Sequence, residues 1–251
     1  MERRTLLGSI ACGCAIAVAG CLGPERDLDP PVVTDPRIED DWREVERSRG
    51  VAFDRSFGPI GITAREYTIV YEYVPLAAVV DEFTDGVDGP AGGLFASRLD
   101  VSPSVDGLSL GRGQLMARID RRGNEAFERE LRRNDVEDIE RTGTEPFRSD
   151  TGHDGRITSY RGTVPVPEGE YVLGDMRLSL DLGTLDVEAR FASWHDDTDV
   201  LLAGCVFPAD AIDEVIEGAL PGFLSIDLDL DVAYQPADFE DEVTALMQSI
   251  E

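Results

Sequence analysis

Period-two alternation of apolar and polar residues recurs along this chain, and it restricts the fold more than any other feature. Met176, Leu178, Leu180 and Leu182 alternate with Arg177, Ser179 and Asp181; after Gly183-Thr184, Leu185, Val187, Ala189 and Phe191 alternate with Asp186, Glu188 and Arg190. A strand sends successive side chains to opposite faces, so each run has one apolar and one polar face. Two such runs joined by a Gly-first dipeptide predict a β-hairpin with a type II′ turn. Leu224, Ile226, Leu228, Leu230, Val232 and Tyr234 alternate in the same way with Ser225, Asp227, Asp229 and Asp231. Strands with one wet face favour antiparallel sheets. Ile62–Val74 and Leu94–Val101 are weaker strand candidates. The unbroken apolar run Val200–Phe207 reads as a buried strand, with Cys205 a small core hydrophobe rather than a nucleophile.

Helical spacing is rarer. Phe239, Val243, Leu246, Met247 and Ile250 mark one face of a closing helix, with Asp238 as its N-cap and Glu240, Asp241 and Glu242 in its first turn. Ile212, Val215, Ile216 and Ala219 mark another behind Asp210. Asn124–Arg133 is a third, with Glu125–Arg129 and Glu128–Arg132 at i,i+4 spacing. The expected architecture is α+β: a mainly antiparallel β-sheet with helices packed on it and a C-terminal amphipathic helix.

Charge then restricts the medium. The chain has 51 acidic against 23 basic residues, a net charge of −28, and every basic residue is Arg, with no Lys. In dilute buffer such an excess pushes a compact state apart. At molar salt the Debye length falls to about 3 Å and the repulsion is screened. The composition therefore predicts a protein that works in brine. It also excludes nucleic acid as a partner, since no basic stripe exists to neutralise phosphates.

The first residues carry an address. Arg3 and Arg4 precede an apolar stretch, Leu6–Ala19, whose 14 residues fall short of the about 20 a spanning helix needs. Val18-Ala19-Gly20-Cys21 follows, in the form of a lipobox ending in the cysteine that is acylated. The expected organisation is a twin-arginine lipoprotein signal peptide over 1–20, a Pro- and Asp-rich tether over 21–36, and a single α+β domain over 37–251. The mature chain would be held at the outer face of the cell membrane through lipidated Cys21, because two chains on one glyceryl group anchor stably. Cys12 and Cys14 leave with the signal, and Cys205 keeps no partner for a disulfide.

This layout resembles a family of haloarchaeal, twin-arginine-exported lipoproteins built on a domain of unknown function. The features carrying the likeness are the twin-Arg signal, the Cys21 lipobox, the Ala96-Ser97 strand end, a mid-chain amphipathic helix, an apolar strand ending Val206-Phe207-Pro208, and the terminal helix. It covers most of residues 40–251 and implies no activity. The late strand, the Phe207-Pro208 turn and the closing Leu246–Ile250 helix are also similar to the PsbP-like α/β/α sandwich, at the level of fold.

Candidate chemistry is sparse. Trp194-His195-Asp196-Asp197-Thr198-Asp199 lies between two strands, and His195, Asp196, Asp197 and Asp199 form a candidate cation loop, because clustered carboxylates suit a hard ion. A solvated acidic turn explains the same residues. His153-Asp154 reads as the tip of a hairpin loop, with no G-x-S-x-G elbow to complete a triad. Asp227, Asp229 and Asp231 read as the solvated face of a strand. Gly86–Gly93, interrupted by Pro90, is no phosphate loop. No catalytic residue and no cofactor is expected. The leading expectation is a non-enzymatic domain binding an envelope protein or a small ligand; the alternatives are a metal-assisted extracellular hydrolase using the Trp194–Asp199 loop, and a purely structural envelope protein.

Overall fold

A computed structural model describes residues 28–57, 60–78, 92–102, 112–166, 169–173, 176–180, 183–196, 199–211, 214–215 and 234–251. Among these residues the core is a seven-stranded antiparallel sheet. Its strands are β1 (Trp42–Phe57), β2 (Ile60–Tyr73), β3 (Gly93–Ser102), β4 (Glu137–Arg148), β5 (Asp154–Pro165), β8 (Thr184–Asp196) and β9 (Asp199–Pro208), in the order β1-β2-β3-β9-β8-β5-β4. β6 (Gly169–Leu173) and β7 (Met176–Leu180) form a separate two-stranded ribbon. Two meanders are thus joined side by side, with β3 against β9 at the seam.

The connection between them is a 22-residue helix, α1 (Arg112–Arg133), lying across one face. Leu115, Ile119, Phe127 and Leu131 form its buried stripe. Gly123 and Gly204 let it come close. A Cβ on Gly123 would meet the Phe191 ring at 2.5 Å, and one on Gly204 would meet the Phe95 ring at 2.3 Å. The rings of Phe95, Phe127, Phe191 and Tyr160 fill the space so created. Asp135, at φ 59°, ends the helix: the Val136 N–H donates back to the Leu131 carbonyl, closing a Schellman-type stop.

The opposite face is covered by α2 (Pro236–Gln248), which buries Phe239, Val243, Leu246 and Met247. Phe239 packs among Trp42, Tyr73, Phe207 and Tyr234. Arg190, one residue from Phe191 and so on the other side of β8, donates to Thr244 and pairs with Glu240. Helix, sheet and helix form three layers, which is the α+β expectation. The helix begins earlier than its acidic turn suggested. Gln235 is the N-cap, Pro236 occupies the first helical position, and Asp238 lies inside the first turn.

Other expectations are corrected. Met176–Leu182 does not pair with Leu185–Phe191. β8 has both edges occupied, by β5 and β9, so β7 turns to β6 instead. Gly183 does take a left-handed φ of +65°, so the turn residue was read correctly and its partner strand was not. The helix expected at Asn124 starts twelve residues earlier, with Asn124 buried in its middle. β1, β4, β5 and β6 were not foreseen. β5 lies inside the sheet, between β8 and β4, whereas β1 and β4 lie at its edges. Both are edge strands rich in charge; β1 carries two register shifts and β4 contains Pro146, features that discourage edge-to-edge pairing. The strand expected over Leu224–Tyr234 and most of the helix at Ile212–Ala219 lie outside the described residues.

Folded structure begins before residue 37. Val33 bridges Ile250, the Val32 and Glu251 backbones exchange hydrogen bonds at 2.9 Å, and the Thr34 N–H donates to the Ser249 carbonyl. From there the chain runs along α2 to Trp42, whose indole N–H donates to Glu242 at 3.0 Å.

Candidate functional site

Strand alternation decides which groups of β8 meet α1. Phe191 packs under the helix, and Ser193 and His195 follow on the same face. Being smaller or polar, they stop filling the interface where Phe191 leaves off. Gly155 and Gly113 supply no side chains there. A cleft of about 530 Å3 results, walled by Met116, Ala117 and Asp120 of α1, floored by Gly155, Ser193, Trp194 and His195, and rimmed by the exposed Asp154 and Arg156.

A chain of hydrogen bonds fixes the wall. Arg141 Nη2 donates to the Tyr160 hydroxyl at 3.3 Å, and that hydroxyl donates to Asn124 Oδ1 at 2.5 Å. Asn124 Nδ2 donates to the Asp120 carbonyl and carboxylate at 2.8 and 3.2 Å, and the same Asp120 oxygen accepts from Ser193 Oγ at 2.9 Å. Burial pushes the Tyr160 phenol up to about 12, which keeps it a neutral donor throughout the physiological range. Ser193 gives its proton to a carboxylate with no imidazole between them, so the nucleophile–base–orienter relay of acyl transfer is absent from this pair.

The candidate cation loop is divided between faces. His195 lies on the cleft side of β8, whereas Asp196 lies on the other, where its Oδ1 sits 3.0 Å from His153 Nε2. Asp199, directly across from Asp196, has its Oδ2 3.9 Å from Arg98 Nε. Asp197 lies outside the described residues. Among the described residues no three His, Cys, Asp or Glu side chains converge as a metal site. His153 does occupy the β4–β5 loop, its N–H donating to Ser149 Oγ at 3.1 Å. Cys205 is buried at the sheet's centre, its thiol pushed up to about 12 by burial, which keeps it protonated and inert.

A second polar group lies on the α1 side of β2 and β3. Thr68 Oγ1 and Ser97 Oγ are 2.5 Å apart, and Glu66, two residues along, is buried with Oε1 lacking any hydrogen-bond partner. Burial raises its carboxyl to about 7, against hydrogen bonds from Thr68 and Ser97 that pull it down. Sequence reading passed over Glu66, Asp120 and Ser193. Two signals were present: Glu66 inside the β-branched and aromatic run Ile62–Val74, and a polar Asp120/Asn124 pair at i,i+4 spacing between Met116 and Phe127 on α1.

Over residues 30–251 the chain matches the family described as "Domain of unknown function (DUF6517)". It belongs to that family. The DUF6517 match starts at Pro30, so the Val32–Thr34 contact with residues 249–251 lies inside the family domain. No curated protein and no solved structure matches the chain. Arg3, Arg4 and Cys21, like Asp227, Asp229 and Asp231, lie outside the described residues, and among those described no helix is long and apolar enough to cross a membrane.

Proposed function

We propose that this protein is a lipid-anchored surface component, exported by the twin-arginine route and working in brine, whose DUF6517 domain binds a small polar ligand without chemically transforming it. The observation that carries the binding reading is the cleft between α1 and β8. Its volume of about 530 Å3 falls within the about 300–1,000 Å3 of small-molecule sites. It presents a carboxylate from Asp120, a hydroxyl from Ser193, an imidazole from His195 and a guanidinium from Arg156 around the thioether of Met116. That is a set for recognising hydroxyl, amine and carboxylate groups on one small molecule.

The anchor reading is supported by Arg3-Arg4, the 14-residue apolar run and the Val18–Cys21 lipobox in that order. The brine reading is supported by the charge and by how little the ion pairs offset it. Arg43–Glu72, Arg47–Glu44, Arg132–Glu128, Arg148–Asp154 and Arg161–Glu188 all have strongly exposed guanidiniums. Such solvent-exposed pairs are screened and contribute little.

The test is to purify the native protein from a high-salt detergent extract and identify what leaves with it by mass spectrometry, beside an Ala117→Trp variant. Ala117 is exposed on the cleft wall, so a tryptophan fills the cleft without entering the core. A small molecule retained by the wild type and lost from the variant supports the reading. Equal recovery from both, or a co-purifying protein alone, overturns it.

A further inference from the structure

The cleft between α1 and β8 holds two opposite charges that do not meet. Asp120 stands on its wall, where Oδ1 accepts from Ser193 Oγ at 2.9 Å and from Asn124 Nδ2 at 3.2 Å. Both bonds go to the same oxygen, and among the described residues Oδ2 accepts none. The carboxylate is thus fixed in place before a ligand arrives, with one oxygen left over for it.

Arg156 supplies the other charge. In the pairing of β5 with β8 it lies directly opposite Ser193, the residue that holds Asp120. Cross-strand partners carry their side chains on one face, about 5 Å apart at the β-carbon. Guanidinium and carboxylate therefore flank a single hydroxyl. They form no ion pair with each other, and among the described residues Arg156 forms none at all. Asp154, the rim acid two residues before it, pairs with Arg148 at 3.3 Å instead. The chain has 51 acidic residues, and none of those described neutralises this arginine.

Salt decides what two such charges can select. At molar ionic strength the Debye length is about 3 Å, so charge is read only in contact. A ligand with one charge competes at its single contact with molar potassium or chloride, and it meets a like charge across the cleft. A molecule that carries both charges makes its second contact as an intramolecular step, an advantage no dissolved salt ion has. Asp120 Oδ2 is a hydrogen-bond acceptor, so the cationic end must carry N–H groups; the guanidinium fork suits a carboxylate. Met116 and Ala117 line the same wall and offer apolar contact to an aliphatic side chain.

We infer that the cleft selects a zwitterion of the aliphatic α-amino acid class, its ammonium on Asp120 and its carboxylate on Arg156. This deepens the function proposed above and rests on its cleft. Binding such a molecule adds no net charge to a chain that already carries −28.

The test is equilibrium dialysis of the full-length chain in molar potassium chloride, read by mass spectrometry. The probes are alanine, valine, norvaline, leucine and methionine, each beside the amine and the acid left when one charged group is removed. At least one amino acid should be enriched about tenfold over its own amine and acid, as expected for losing a charged hydrogen bond. Equal enrichment of a singly charged partner, or no enrichment of any amino acid, overturns the inference. Arg156→Gln, on the exposed rim, should cut the preference for amino acid over amine about tenfold. A purely structural role would weaken both ligands together, so an unchanged preference also overturns it.

The co-purification experiment above separates this failure from that of the cleft itself. A molecule lost from Ala117→Trp that carries one charge or none overturns the zwitterion and leaves the cleft a binding site. If nothing co-purifies and no probe is enriched, both readings fall.

Discussion

Glu66→Gln should make this protein more stable at pH 8 and leave it unchanged near pH 4. Glu66 is buried between β1 and β3 with one carboxyl oxygen unpaired, and burial raises it from an ordinary 4.5 to about 7. A raised carboxyl means that the folded state holds its proton more tightly than the unfolded state. Below about 4.5 both states are protonated, and Glu66 contributes no pH dependence. Between about 4.5 and 7 the folded chain binds more protons, so stability falls as pH rises. Above 7 the full penalty, about 3 kcal/mol, is in force. Gln has the shape of the protonated acid and never ionises, so it escapes that penalty. For a domain of this size the gain corresponds to a rise in Tm of about 6–12 °C. The assay is thermal unfolding by circular dichroism in molar potassium chloride from pH 4 to 8, comparing variant with wild type. Glu46 and Glu130 are also raised by burial, so the wild-type curve alone mixes several groups; the difference between the two proteins isolates one. Salt does not blunt the effect, because the penalty comes from lost hydration rather than from screened repulsion. A difference that is flat with pH, or a variant less stable at pH 8, would refute the reasoning.

Dialysis from molar salt to about 50 mM should unfold the domain, since carboxylate repulsion then acts over more than 10 Å; an unchanged far-ultraviolet spectrum would count against the brine reading. Changing Cys21 to Ser should move the protein from the membrane fraction to the medium, and continued membrane association would end the anchor reading. Gly204→Ala brings a methyl within 2.3 Å of the Phe95 ring and should lose about 1–3 kcal/mol, read as a lower urea midpoint with unchanged slope; a midpoint equal to wild type would mean that the Phe95 ring does not lie over Gly204 as described.

How much of the fold was legible follows from where each strand sits. β8 alternates because one side meets α1 and the other meets α2 only at intervals, so its period survived in the sequence. β9 read correctly as doubly buried because all ten of its residues are apolar or small apart from Asp199. β1 and β4 were illegible because each carries charge on both faces, which erases alternation. α1 starts twelve residues before the expected Asn124 and runs on through Gly123. Its missing side chain is what lets the helix settle onto Phe191, and only the tertiary contact explains it. The false hairpin at Gly183 has the same origin. The glycine announces a turn, but the identity of the partner strand depends on β5, twenty residues upstream.

The site was less legible than the fold, and for a related reason. A reading along the chain gathers His195, Asp196 and Asp199 into one loop, yet a strand's period of two separates neighbours onto opposite layers. The groups that meet in the cleft come instead from α1, β5 and β8, with sequence separations such as the 73 residues between Asp120 and Ser193. In a chain with 51 acids, a carboxylate in a turn carries little information, because carboxylates are spread along the whole sequence. The informative acids are the ones withdrawn from the surface. Glu66 is buried on β2 with one carboxyl oxygen unpaired, and Asp120, half-buried at the cleft wall, is held by Asn124 and Ser193. High salt makes solvated acid inexpensive and does nothing for buried acid. In such a protein, burial and not clustering separates a carboxylate with a specific role from the many that keep the surface hydrated.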